Sequence, residues 1–177
     1  MTSAGGQVVT ATYGLGEIPL YVCEGCVVPM KTMASVTTPP DPLMWTVWPG
    51  GAAGGGGSYW EDDGVSLEYA SATCEAGAVC FTLAWSRAGG VLNATAGASR
   101  GSYAGMPRTR SQGLALRGVG LPSAVACNGV PAPRSATAVP GWYVADAWSL
   151  AVTTGSVVVT CAPTDPAAAP LKIQLAF

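Results

Sequence analysis

Every second residue of Val79-Cys80-Phe81-Thr82-Leu83-Ala84-Trp85-Ser86 is large and apolar, with small or polar groups between. Three further runs repeat this period of two: Leu43, Trp45 and Val47; Val157, Val159 and Cys161; and Leu171, Ile173, Leu175 and Phe177. Successive side chains of a strand point to opposite faces, so such runs set one apolar face on a core and turn the other to water. No segment sustains a 3.6-residue period with helix caps. Ala167-Ala168-Ala169 sits among Pro163, Pro166 and Pro170, whose rings block helix propagation. With 24 glycines and 14 prolines to break the runs, the expected fold is all-β, an antiparallel β-sandwich.

Charge is sparse, with 8 basic and 10 acidic residues, and three of the acids stand together in Glu61-Asp62-Asp63-Gly64. Glycine accepts positive φ and Asp bonds its own backbone, so Asp63-Gly64 reads as a hairpin turn. Three chemistries compete with a plain turn. In a strand rising ~3.3 Å per residue, Glu61 and Asp63 share a side and could pose as a glycosidase carboxylate pair. The acids could offer oxygens to Ca²⁺, although their spacing does not match an EF-hand loop. Trp60 or Trp48 could stack on a sugar ring beside them. The expectation is the plain one, a solvated turn whose acids cap backbone N–H groups.

The low-complexity run Gly50 to Gly57 has no Lys-Ser/Thr pair and no helix after it, so it reads as a flexible loop and not a phosphate cradle. The Ala34 to Pro42 stretch reads as a second loop. The expected organisation is a partial proximal β-sheet over 1–50, with Gln7 to Thr12 as an early strand, a Gly-rich loop at 51–57, and a distal β-sandwich over 58–177.

A formal charge of −2 with scattered basic residues gives no footprint for nucleic acid. No apolar run approaches the ~18 residues of a membrane span. No histidine and no second C-x-x-C accompany Cys23 and Cys26, so neither a zinc site nor any other cofactor is expected. Cys74 and Cys80 flank a glycine turn, and Cys127 and Cys161 lie at strand ends; both pairs are disulfide candidates. Asn93-Ala94-Thr95 is an N-glycosylation sequon, in keeping with an oxidising, secretory route. Met1 to Gly6 lacks the charged start and apolar core of a signal peptide. Of the 6 tryptophans, Trp45 and Trp85 belong to the core by their alternation, leaving Trp48, Trp60, Trp142 and Trp148 open to other roles.

Several segments resemble one family. Ser58-Tyr59-Trp60-Glu61-Asp62-Asp63-Gly64-Val65-Ser66-Leu67-Glu68-Tyr69 is similar to the "YEDDG" signature in the C-terminal β-sandwich region of glycoside hydrolase family 31, the α-glucosidase and α-xylosidase family. Upstream, Ile18 to Met30 resembles that family's "IPvfvRgGsIiPm", although Cys23-Glu24-Gly25-Cys26 replaces "RgGs" and the arginine is lost. Asp41-Pro42-Leu43 and Trp48-Pro49-Gly50 resemble the stretch between. Downstream, Gly101-Ser102-Tyr103-Ala104-Gly105-Met106-Pro107 with Arg110, then Leu116, Gly118, Val119, Val125, Asn128 and Gly129, follow in the family's order.

The resemblance implies the non-catalytic C-terminal portion of an α-glucosidase-like enzyme that hydrolyses O-glycosyl bonds. In that family the catalytic carboxylates sit on a (β/α)₈ barrel of ~250 residues, which this 177-residue chain is not expected to contain. The chain is then expected to be a fragment, a truncated product or one subunit of a split enzyme, with the barrel as its partner. The alternative is a free-standing β-sandwich that binds carbohydrate or a protein.

Overall fold

The computed structural model describes residues 5–18, 20–30, 39–67, 74, 77–135, 141–145 and 156–177, with 141–145 described for the backbone alone. Twelve strands form among them: β1 (Val27–Met30), β2 (Leu43–Val47), β3 (Gly54–Asp62), β4 (Ala78–Ala88), β5 (Val91–Ala96), β6 (Arg100–Ser102), β7 (Gln112–Arg117), β8 (Ala124–Cys127), β9 (Val130–Pro131), β10 (Gly141–Ala145), β11 (Ser156–Thr160) and β12 (Leu171–Ala176). One sheet has the order β1-β2-β7-β11-β10; the other runs β3-β4-β5-β12-β8-β9, with β6 also paired to β4. All pairings are antiparallel except β2 with β7, which is parallel.

The alternating runs become the inner faces of this sandwich. Leu43, Trp45, Val47, Leu114, Leu116, Val157 and Val159 of the first sheet pack on Val79, Phe81, Leu83, Trp85, Leu92, Ile173 and Leu175 of the second. The indole of Trp45 donates to Gln112 Oε1 at 3.1 Å, which satisfies a buried amide at the start of β7. Short turns set the registers. Ala88 pairs with Val91 across Gly89-Gly90, and Cys127 with Val130 across Asn128-Gly129, where both central residues have positive φ.

Four expectations need correction. β2 lies between β1 and β7 in one sheet, so the division at 51–57 falls inside the sandwich and not between two domains. Gln7 to Thr12 forms no strand: all six residues are exposed, Val8 to 96%, and none pairs with a strand of either sheet. Asp63-Gly64 is not a two-residue hairpin turn: β3 and β4 pair antiparallel, but through residues 63–77. The Ala34 to Pro42 stretch lies largely outside the described residues.

The fourth correction concerns the glycine run, whose second half is not a loop. Gly54 to Gly57 pair with Ser86 to Leu83 as the first half of β3. The glycines are there because another backbone lies against them. A Cβ on Gly55 would strike the carbonyl of Gly25, and one on Gly57 would lie 2.7 Å from the carbonyl of Val27. That approach also lets Trp85 Nε1 donate to the Gly25 carbonyl at 3.0 Å. Gly55→Ala is therefore expected to destabilise by ~3 kcal/mol, since the clash is with backbone and not with a yielding side chain. Gly120→Ala, whose Cβ meets nothing within 4 Å, should change stability by less than ~0.5 kcal/mol. Urea midpoints of the two variants check the contrast; equal effects would return the run to a loop.

Candidate functional site

The acidic cluster splits at the end of β3. Asp62, the last residue of β3, and Asp63 after it bond to the turn that follows: Asp62 Oδ1 accepts from the N–H of Gly64 at 2.8 Å, and Asp63 Oδ1 from those of Val65 and Ser66 at 3.1 and 2.9 Å. These backbone donors, Ser66 first, hold the Asp63 carboxyl below its usual value. Gly64 takes φ +69°, which its position in the turn requires.

Glu61 departs from the expected solvated turn. Strand parity puts it on the inner face with Tyr59, and it is only 8% exposed. Arg110, 1% exposed, meets it in a bidentate pair: Nη1 donates to Oε2 at 2.9 Å and Nη2 to Oε1 at 2.6 Å. Tyr103 Oη donates to Oε1 at 2.5 Å and Tyr59 Oη to Oε2 at 3.2 Å. The guanidinium stacks over Phe81, 5.1 Å from its ring centre, and the Arg110 backbone is fixed by two hydrogen bonds to Thr164 of 3.0 and 3.1 Å. Burial opposes the charge on Arg110, but the Glu61 hydrogen bonds and charge more than offset it and its pKa is raised. Arg110 and Tyr103 were legible only as motif residues. The clue to their role is the parity of Glu61, since a carboxylate facing the core needs a cation.

Both oxygens of Glu61 are therefore occupied. It accepts four hydrogen bonds, two from a guanidinium and two from tyrosine hydroxyls, which fills its acceptor positions. Its effect on the tyrosines is measurable. Burial, with the charge of Glu61 behind it, pushes Tyr59 up to about 12, and burial with the Glu61 hydrogen bond raises Tyr103 further. The unfolded chain releases these protons near ~10 and the folded one holds them, so unfolding is favoured as pH climbs from about 10 past 12. Below that window both states keep these protons, so stability there does not depend on them. Tyr59→Phe should flatten the alkaline fall in the urea midpoint between pH 9 and 11.5; an unchanged slope would mean that Tyr59 titrates normally.

The remaining candidates are dispersed. Trp60 points outward from β3 and is 49% exposed, and Trp48 is half-buried beyond β2. Trp148 and the side chain of Trp142 lie outside the described residues. Disulfides join Cys23 to Cys26, Cys74 to Cys80 and Cys127 to Cys161, the last tying the end of β8 to the residue after β11 in the other sheet. Asn93 is exposed on the outer face of β5. Beside it, between β5, β12 and the β8–β9 turn, lies a shallow groove of about 220 Å³. Among the described residues no cluster of three metal-binding side chains occurs, and no helix is long and apolar enough to cross a membrane.

No family model and no curated protein matches the chain by sequence. Solved structures do. A dextranase of glycoside hydrolase family 31 (GH31) from Flavobacterium johnsoniae, solved with isomaltotriose and with glucose, superposes with a TM-score of 0.64 at 16% identity over 88% of this chain. An α-1,4-glucan lyase from Gracilariopsis lemaneiformis superposes with a TM-score of 0.61 at 17% identity over 86% of it. The chain spans 19% of the dextranase and 16% of the lyase. It has the fold of one portion of these enzymes.

Proposed function

We propose that this chain is the C-terminal β-sandwich portion of a glycoside hydrolase family 31 protein of α-glucosidase type. It performs no chemistry of its own and supports a catalytic barrel carried by the rest of that protein. The observation behind this reading is a convergence. The two segments that most resemble the family, Ser58 to Tyr69 and Gly101 to Arg110, meet in one buried ion pair, Glu61 with Arg110, flanked by Tyr59 and Tyr103. The resemblance thus falls on residues that lock β3 to the chain before β7. The shared fold agrees with it.

A retaining glycosidase needs two carboxyl groups ~5 Å apart with a sugar between them. Here Glu61 is buried and saturated, while Asp62 and Asp63 are spent on turn amides. The purified chain is expected to show no turnover of aryl α-glucosides or α-xylosides. Turnover by the folded chain, abolished by Asp63→Asn in a variant that keeps the urea midpoint, would overturn the reading. The half-exposed Trp60 favours one second reading, a surface that stacks on sugar. Retardation of the chain in α-glucan gels, lost in Trp60→Ala, would support that second reading; unchanged mobility favours the first.

A further inference from the structure

Asn93 and Thr95 stand together on the outer face of β5 while Leu92, Ala94 and Ala96 enter the core. The side chain of Asn93 is exposed, and its Oδ1 accepts a hydrogen bond from Gln174 Nε2 at 2.8 Å. That bond orients the amide. It leaves Nδ2, the atom that N-glycosylation uses, without an acceptor among the described residues. The groove of about 220 Å³ beside it, bordered by Lys172, Gln174 and Gly129, gives a first sugar residue room and hydrogen-bonding neighbours. The described cysteines are all disulfide-bonded, the state of a chain matured in an oxidising compartment.

We propose that Asn93 is an N-glycan attachment site, the glycan standing on the outer face of the β5–β12 sheet. The donor class is a lipid-pyrophosphate-linked oligosaccharide. Asn93 Nδ2 bonds to the anomeric carbon, the bond from that carbon to the pyrophosphate oxygen breaks, and the amide proton leaves with the lipid pyrophosphate. The order of synthesis makes the acceptor available. Gln174, which holds Asn93 in the finished sheet, lies 81 residues later, so the sequon is presented as an open, extended segment before β12 exists to pair with β5.

The test directs the full chain into the secretory pathway of yeast with an added leader peptide. Glycan is then released by amidase in heavy-oxygen water, and the Asn93 peptide is weighed in secreted and cell-retained fractions. The expected result is conversion of Asn93 to labelled Asp in most molecules, abolished by Thr95→Ala and retained by Thr95→Ser. The Ser variant separates loss of the acceptor from loss of the fold. Unmodified Asn93 in chain whose Cys127–Cys161 bridge has formed overturns the proposal. A second arm translates the chain into microsomes, where arrival needs translocation alone. A protease-protected band without a glycan shift overturns it equally.

Discussion

Arg110→Ala is expected to destabilise the sandwich by ~3–5 kcal/mol, because it leaves the buried Glu61 carboxylate without its counter-charge. The guanidinium supplies two of the four hydrogen bonds on that carboxylate and covers one side of the Phe81 ring. Removing it leaves Tyr59 and Tyr103 as the remaining partners, and neither carries charge. Glu61→Gln is expected to be costly for the converse reason: the amide keeps the shape but leaves Arg110, 1% exposed, without its counter-charge. The pair is coupled, so the two single losses should not add. A double replacement, Glu61→Leu with Arg110→Met, removes both charges at roughly constant volume and should cost less than Arg110→Ala alone. Urea unfolding of the three variants measures this. A loss of less than ~1 kcal/mol for Arg110→Ala would mean that the pair behaves as an exposed one and is not buried.

The sequence carried the sandwich because its signal is local: one strand's alternation is enough to place Trp45, Leu83, Trp85 and Ile173 on inner faces. It hid whatever depends on a distant neighbour. The glycines of β3 look like a linker, since a residue without a side chain carries no periodicity. Their cause is the backbone at Gly25 and Val27, which approaches from well upstream. Glu61 looks like a turn residue because two aspartates follow it, yet parity sets it on the Tyr59 face and its partner lies 49 residues away. The parallel pairing of β2 with β7 is non-local in the same way, and it erases the expected division of the chain. For the candidate site, the segments were legible and their meeting was not. Two motifs of one family in sequence order do not announce that an acid from one closes on an arginine from the other.

Deleting the Cys127–Cys161 bridge with a double alanine replacement is expected to cost ~3–4 kcal/mol, the second large effect. The bridge spans a sequence separation of 34 and ties the two sheets together, while Cys74–Cys80 spans 6 within the β3–β4 region. In the chain-entropy account a cross-link stabilises by restricting the unfolded chain, and the restriction grows with the logarithm of the loop it closes. The same account gives ~2 kcal/mol for the shorter bridge. Cys161 sits within the apolar core that contains Val157, Val159 and Leu171, so the longer bridge also fixes packing at the end of β11. Denaturant unfolding of the two double variants at equal pH gives the comparison directly. A larger loss at Cys74–Cys80 would mean that local packing around β4, and not loop closure, governs what these bridges contribute.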